Sequence, residues 1–277
     1  MVSEKRVINV DAFSARGEGR SLNVINYSDR PDLYILSIGI SDYEKDDYDL
    51  NYADNDARSI SEIFNNLGTE VYKDVNSVQL LNSKANKRSI LAAFTNLSDK
   101  VKAKDMVLIF IASHGINNKG EFFILPYDAD LMQKPENVVS WKELTKTLSE
   151  LPSNVVVMID ACHSGQLGIN LTKSVANNTE ALRNASDDEN GLVLMAAATG
   201  NESALEATTW EHGAFTLAIL EGIKNGKADI KPDGTIYLRE LDYYVSERTI
   251  ELTENAQHPT TQKPSTISRL SIINLNK

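Results

Sequence analysis

Residues 155–165 read VVVMIDACHSG, a run of five apolar residues that passes directly into small and polar ones. Branched apolar residues over this length are typical of a strand buried on both faces of a parallel sheet. The run ends beside Cys162, the only cysteine among the 277 residues. A lone cysteine is often a small buried hydrophobe, yet a core cysteine needs neither the nearby Asp160 nor Gly165. The placement therefore favours a reactive thiol at the end of a strand.

A second apolar run has the same form. Residues 106–112 read MVLIFIA and continue into Ser113, His114 and Gly115. If both runs are parallel strands of one open sheet, His114 and Cys162 leave it at the same carboxyl edge, where α/β folds place their chemistry. The two residues are 48 positions apart, which is enough for one crossover between neighbouring strands. We therefore expect an imidazole and a thiol to meet at the top of the sheet.

Strand and helix patterns alternate along most of the chain. Strands are predicted at 33–40, 71–81, 106–112, 121–125, 155–159 and 191–198, and helices at 54–66, 87–102, 141–151, 213–224 and 238–252. Gly68 is predicted to end the first helix as a C′ glycine, and Ser140 with Glu143 has the form of a capping box. The alternation predicts an α/β fold with a mainly parallel sheet.

The chain is predicted to divide into an appendage and one domain. Residues 1–30 are polar and irregular, whereas residues 31–277 carry the regular patterns. Within the domain, residues 166–190 lack a long apolar run and are predicted to be a linker between a large portion, 31–165, and a small portion, 191–277.

Composition limits the partners and the location. The net charge of −11 argues against a nucleic-acid partner. A single cysteine excludes an internal disulfide, and no apolar stretch approaches the length that spans a membrane, so the sequence predicts a cytoplasmic protein without a membrane partner. The acidic runs at 42–49 and 187–189 are either solvated loops, an electrostatic lure for a basic substrate or a cation site.

Together these motifs resemble the caspase-like cysteine peptidases, particularly the metacaspases and bacterial caspase homologues. The resemblance rests on Ser113-His114-Gly115 and on residues 160–165, and it extends from Leu33 to Pro264. It also includes Gly39, the helix start at 53–57, the hairpin at 120–128, the strand at 196–198 and the helix start at 212–216. The resemblance implies a caspase-like α/β/α sandwich and hydrolysis of peptide bonds through an acyl-thioester intermediate.

The resemblance also implies a role for particular residues. His114 and Cys162 would form the catalytic dyad, and the backbone N–H groups of Gly115 and Cys162 would hold the oxyanion. Metacaspases bind the Arg or Lys before the scissile bond, the P1 residue, through acidic residues, and Asp160 and Asp56 match those positions. We therefore expect a protein substrate with a basic P1 residue. The alternative for Asp56 is a helix N-terminal acid stabilised by the helix dipole.

The other histidines have simpler interpretations. His163 is predicted to be a supporting residue beside the nucleophile, His212 to start a helix, and His258 to lie in a surface loop. No cofactor is expected to be required, and the identity of any metal stays open. Calcium is an alternative, because residues 229–240 have partial calcium-loop spacing; the competing interpretation is a tight acidic turn, since Lys231 occupies a ligand position.

Two other functions fit the same residues. One is a non-catalytic caspase-fold scaffold or ligand-responsive adaptor. The other keeps the dyad but changes the P1 preference, as in separase-like and legumain-like peptidases. A peptidase of this type needs restraint, so we expect a regulatory partner or a flanking domain, and Lys173 and Arg183 in the predicted linker are candidate sites of self-cleavage.

Overall fold

The structure is a computed structural model that describes residues 29–118, 120–163, 192–198, 202, 204–264, 267 and 270–275. For Cys162 and His163 it describes the backbone alone. The predicted linker and, except for residues 29 and 30, the predicted appendage lie outside the described residues.

The elements follow the predicted alternation. The strands are β1 (Leu33–Gly39), β2 (Val75–Leu81), β3 (Met106–Asn118), β4 (Glu121–Ile124), β5 (Val139–Ser140), β6 (Asn154–His163), β7 (Leu192–Ala196), β8 (Glu206–Ala207), β9 (His212–Gly213), β10 (Thr235–Tyr237), β11 (Thr260–Gln262) and β12 (Ser271–Asn274). The helices are α1 (Ala53–Leu67), α2 (Lys87–Ser98), α3 (Trp141–Ser149), α4 (Ala214–Lys224) and α5 (Leu238–Leu252).

The central sheet is mainly parallel, as predicted. Its strand order is β11-β7-β6-β3-β1-β2, and only β11 runs antiparallel along this path. The hairpin strand β4 adds to the extended end of β3, and β5 pairs with β4. From β1 the chain goes outward to β2 and then returns to β3 on the other side. Such a reversal of strand order opens a crevice at the carboxyl ends of the strands.

Two apolar layers cover the sheet. Alternate residues of β3 point to opposite faces, so that Ile109 joins the layer under α2 and α3, whereas Phe110 joins the layer under α1, α4 and α5. Helix α1 contributes Ile60 and Phe64, both fully buried. Helices on both faces of one sheet make the α/β/α sandwich that the resemblance implied.

Several predicted bounds were wrong. Gly68 has a right-handed φ of −66° and starts a short 3-10 turn, rather than ending α1 in a left-handed conformation. Strand β2 begins at Val75 and not at residue 71, because Tyr72 packs into the core with its hydroxyl against Met106. Helix α2 ends at Ser98, and Val101 is buried beyond it in a turn.

Strand β3 is longer than predicted. It continues past His114 to Asn118 and then turns back into β4, with Gly120 in the left-handed region at φ 86°. The edge that carries the predicted dyad is therefore supported by a hairpin. Within the described part of the chain, no helix has the length and apolar character needed to cross a membrane.

Candidate active site

The backbone pairing brings the two predicted dyad residues together. Strands β3 and β6 are parallel neighbours, and His114 lies directly opposite Cys162 in their register. Ala112 lies opposite Asp160 in the same ladder. Because neighbouring strands are about 5 Å apart, the imidazole and the thiol belong to residues that adjoin at the carboxyl edge of the sheet.

His114 is held in one orientation by the loop between β1 and α1. Its Nε2 lies 2.9 Å from the backbone oxygen of Tyr48, and its own backbone N–H donates to the Tyr43 hydroxyl at 2.9 Å. A carbonyl oxygen can only accept, so this contact requires the proton on Nε2. In the neutral imidazole Nδ1 then carries the lone pair.

That lone pair is available for proton transfer. Nδ1 is buried and has no hydrogen-bond partner among the side chains that the structure describes. Burial lowers the pKa of His114, and the contact with Tyr48 opposes this only in part. The site therefore favours a neutral imidazole with an acceptor nitrogen, which is the state that a general base needs.

Two aromatic side chains fix the loop that holds His114. Tyr43 and Tyr48 are buried and meet edge to face, with ring centroids 6.2 Å apart. The Tyr43 ring also lies 5.5 Å from the imidazole. The acidic residues of this loop are exposed, namely Asp42, Glu44, Asp46, Asp47 and Asp49. The acidic run at 42–49 thus lies on an exposed loop anchored by its tyrosines, as the solvated-loop interpretation expects, and a role in attracting a basic substrate stays a prediction.

The two predicted pocket carboxylates converge at one point. Asp56 and Asp160 are both buried, and a Cβ placed on Gly213 would lie 2.7 Å from Asp160 Oδ2 and 3.2 Å from Asp56 Oδ2. Those two oxygens are therefore about 6 Å apart at most. The absence of a side chain at Gly213 keeps this space open, and the Gly213 N–H donates to Asp56 Oδ2 at 3.1 Å.

Burial makes this carboxylate pair unusual. It raises the pKa of Asp160, and the negative charge of Asp56 raises it further, although the Thr216 hydroxyl donates to Asp160 at 2.7 Å. Burial also raises the pKa of Asp56. A pair of buried carboxyl groups with raised pKa values is typical of a functional site, and a positive charge bound between them would favour their ionised forms.

Two further residues of this pocket were missed from the sequence. His212 was predicted to start a helix, but it lies in β9 and its Nδ1 is 2.6 Å from Asp56 Oδ1, while Gly213 is the N-cap of α4. Glu206 in β8 accepts from the backbone N–H groups of Asn51 and Tyr52 just before α1, and its charge raises the pKa of both aspartates. His212 belongs to the 212–216 stretch of the resemblance, but nothing local in the sequence pairs it with Asp56, and no motif marks Glu206.

Comparison with known proteins identifies the family of the domain. The family model of the caspase domain, Peptidase C14, matches residues 34–270. The chain belongs to the caspase-domain family. Among solved structures, protein GSU0716 from Geobacter sulfurreducens, a Northeast Structural Genomics target, is similar in fold, with a TM-score of 0.63 and 15% sequence identity over 89% of this chain and 100% of that one. No curated protein matches the sequence.

Gly115 in this caspase domain has a packing reason to be glycine. A Cβ at this position would lie 2.5 Å from the Phe122 ring on β4, closer than real side chains approach. The residue also adjoins His163 across the β3–β6 ladder. Its predicted role as an oxyanion donor stays a prediction. The packing of Phe122 favours glycine here whether or not the residue serves that role.

The segment with partial calcium-loop spacing forms a turn that satisfies its own acid groups. Asp229 accepts from the backbone N–H groups of Asp233 and Gly234, at 3.2 and 2.8 Å. Across the described residues, no group of three or more His, Cys, Asp or Glu side chains is arranged to hold a metal ion. Asp229 thus acts as the cap of a tight acidic turn.

The remaining predicted residues have local partners or lie outside the described residues. His258 lies between buried and exposed, with Nδ1 2.8 Å from Glu202. Lys173 and Arg183, the candidate self-cleavage sites, lie outside the described residues, as does the acidic run at 187–189. For His163 the structure describes only its strand position.

Proposed function

We propose that this caspase domain is a cysteine endopeptidase that hydrolyses protein substrates after Arg or Lys. The observation that carries the proposal is the direct pairing of His114 with Cys162 in a ladder that also contains Asp160, whose carboxylate lies close to that of Asp56. One edge of the sheet thus joins a base, a nucleophile and an acidic pocket.

The chemistry begins with the thiol of Cys162. A thiol with an ordinary pKa near ~8.5 is mostly protonated at neutral pH, so it needs a base close by. His114 accepts the proton at Nδ1, because Nε2 donates to the Tyr48 carbonyl oxygen. The thiolate then attacks the carbonyl carbon of the scissile bond, and the resulting imidazolium remains held by Tyr48.

The intermediate collapses when the leaving amine takes a proton from His114. The peptide C–N bond breaks, and the acyl group stays on the sulfur as a thioester. A water molecule, deprotonated by the same imidazole, hydrolyses the thioester and restores the thiol. Backbone N–H groups hold the oxyanion in both steps, and Gly115 and Cys162 are the proposed donors; one such donor contributes about 3 kcal/mol.

The pocket supports a basic P1 residue by charge. Burial and mutual repulsion both oppose the negative charges of Asp56 and Asp160. A guanidinium or ammonium group between them would offset both effects and would form charge-assisted hydrogen bonds with the two carboxylates. An acidic P1 side chain would add a third negative charge to the same buried space. The charge pattern therefore selects for Arg or Lys and against Asp.

A panel of fluorogenic peptides that differ only at P1 tests this function. We expect release of the fluorophore from Arg and Lys peptides, little from a peptide with citrulline, the uncharged analogue of Arg, and none from an Asp peptide. Cys162→Ala is the control for contaminating activity. Preference for Asp would contradict the pocket assignment, and no cleavage of any peptide would favour a non-catalytic scaffold.

A further inference from the structure

His212 makes the shortest contact in the acidic pocket. Its Nδ1 lies 2.6 Å from Asp56 Oδ1, and the adjacent Gly213 N–H donates to the other oxygen at 3.1 Å. Asp56 is almost completely buried, at 2% exposure, whereas the His212 side chain is 16% exposed. Two consecutive residues of β9 thus contact the two oxygens of one buried carboxylate.

The hairpin of β8 and β9 is tied to the start of α1 at two further points. Asn55 donates to the backbone oxygen of Glu211 at 2.9 Å, and Glu211 adopts a left-handed φ of 55°, which residues other than glycine rarely take. At the other strand, Glu206 accepts from the backbone N–H of Asn51. The position of His212 against Asp56 is therefore fixed from both sides.

Asp56 needs such a donor because its surroundings oppose its charge. Asp160 on β6 and Glu206 on β8 are the acidic groups that face it, and burial raises its pKa. The contacts with His212 and Gly213 act in the opposite direction. An N–H donor at Nδ1 stabilises the Asp56 carboxylate by a hydrogen bond, whereas a lysine or arginine here would place a permanent positive charge in the pocket.

We propose that His212 is a positioning residue of the P1 pocket, which keeps the buried Asp56 ionised and oriented so that it can bind a basic P1 side chain. This inference rests on the proposed function, since it concerns the same pocket. His212 acts through Asp56 and takes no part in bond making or breaking. Its loss should therefore weaken selection for charge and leave the dyad intact.

The hydrogen bond from His212 lowers the pKa of Asp56, so its loss should change how the charge of the pocket depends on pH. Without the donor, the pKa of Asp56 rises further, so the pocket loses its negative charge at a higher pH. The ratio of kcat/KM for an Arg peptide to kcat/KM for the matching citrulline peptide reports pocket charge, because titration of the dyad affects both substrates equally. We expect the acidic limb of this ratio to move upward by about one pH unit in His212→Leu.

The test compares wild type, His212→Leu and His212→Asn from about pH 5 to about pH 9. The asparagine amide places an N–H close to where Nδ1 lies, so His212→Asn should retain most of the wild-type profile. In each protein, kcat/KM for the citrulline peptide is the internal reference against which kcat/KM for the Arg peptide is compared. The proposal would be overturned if the acidic limb of the ratio did not move in His212→Leu, or if kcat/KM fell equally for both peptides. It would also be overturned if His212→Asn did not restore the wild-type profile.

A second measurement separates this proposal from the proposed function. In the Cys162→Ala background, the Asp56 carboxyl carbon can be titrated by carbon-13 NMR with histidine or leucine at position 212. We expect a higher midpoint with leucine, and identical midpoints would overturn the proposal even if Arg peptides are cleaved. If wild type cleaves neither Arg nor Lys peptides, the proposed function fails, and this titration still decides whether His212 sustains the charge of Asp56.

Discussion

Replacement of Asp160 by asparagine should move activity and stability in opposite directions. Asparagine keeps the shape of the side chain and an oxygen for the Thr216 hydroxyl, which lies 2.7 Å away. It removes one of the two charges that would face a basic P1 group. Removal of one partner from a buried pair of opposite charges costs about 3–5 kcal/mol, and the pair here is the Asp160 carboxylate with the basic P1 group. Since each 1.4 kcal/mol is about tenfold, kcat/KM for an Arg peptide should fall at least about 100-fold.

The stability effect has the opposite sign because the folded state opposes this charge. The pKa of Asp160 is raised in the folded protein, so the folded state holds the proton more tightly than the unfolded chain does. Above the ordinary carboxyl pKa, this difference lowers the free energy of unfolding. Asp160→Asn should therefore raise the free energy of unfolding at neutral pH by about 1 kcal/mol or more, and the gain should vanish below about pH 4.

Two assays decide this prediction. Kinetics on Arg and citrulline peptides measure the pocket, and thermal unfolding at pH about 7 and about 4 should reveal a Tm gain of about 2–4 °C at the higher pH only. Asp54→Asn is the control for loss of a carboxylate near the pocket, because Asp54 lies in the first turn of α1 beside Asp56 but pairs with Ser41 and Arg58. Its P1 preference should be unchanged. A fall in both activity and Tm in Asp160→Asn would identify Asp160 as a structural residue and refute the reasoning.

Three further predictions concern the dyad and the pocket. Tyr43→Phe leaves the buried backbone N–H of His114 without its acceptor, so denaturant titration should reveal a loss of about 1–3 kcal/mol, with kcat affected more than KM. Gly213→Ala places a Cβ 2.7 Å from Asp160 Oδ2, so in steady-state kinetics kcat/KM should fall more for Arg peptides than for citrulline peptides. On citrulline peptides the acidic limb of kcat/KM should lie below pH 6.5, because burial lowers the pKa of His114; a midpoint above that value would contradict the assignment.

The sequence predicted the layout of the sheet because burial leaves a local signal. The runs at 106–112 and 155–159 are apolar on both faces, and both strands form as neighbours in the parallel sheet. The meeting of His114 and Cys162 at one edge followed from strand direction alone. The extension of β3 to Asn118 was missed, because polar residues past the dyad gave no sign that a hairpin would continue the strand.

The supports of the site could not be predicted in the same way. The carbonyl oxygen that orients His114 belongs to the backbone of Tyr48, and every residue has such a group, so no side-chain pattern marks it. His212 lies 156 positions from Asp56, and its partner is decided by how α1 packs beside the β8–β9 hairpin. Gly213 likewise reads as an ordinary helix start until the two carboxylates are placed around it.

Covalent labelling of Cys162 tests the central claim most directly. A peptidyl acyloxymethyl ketone reacts when the active-site thiolate displaces its carboxylate leaving group, and the thioether adduct is read by intact-protein mass spectrometry. Because Cys162 is the only cysteine, a thiol adduct identifies its own site. We expect one adduct with Arg or Lys at P1, none with Asp at P1, and none in His114→Ala at matched times. Labelling by the Asp reagent in preference to the Arg reagent, or labelling that is unaffected by loss of His114, would contradict the account.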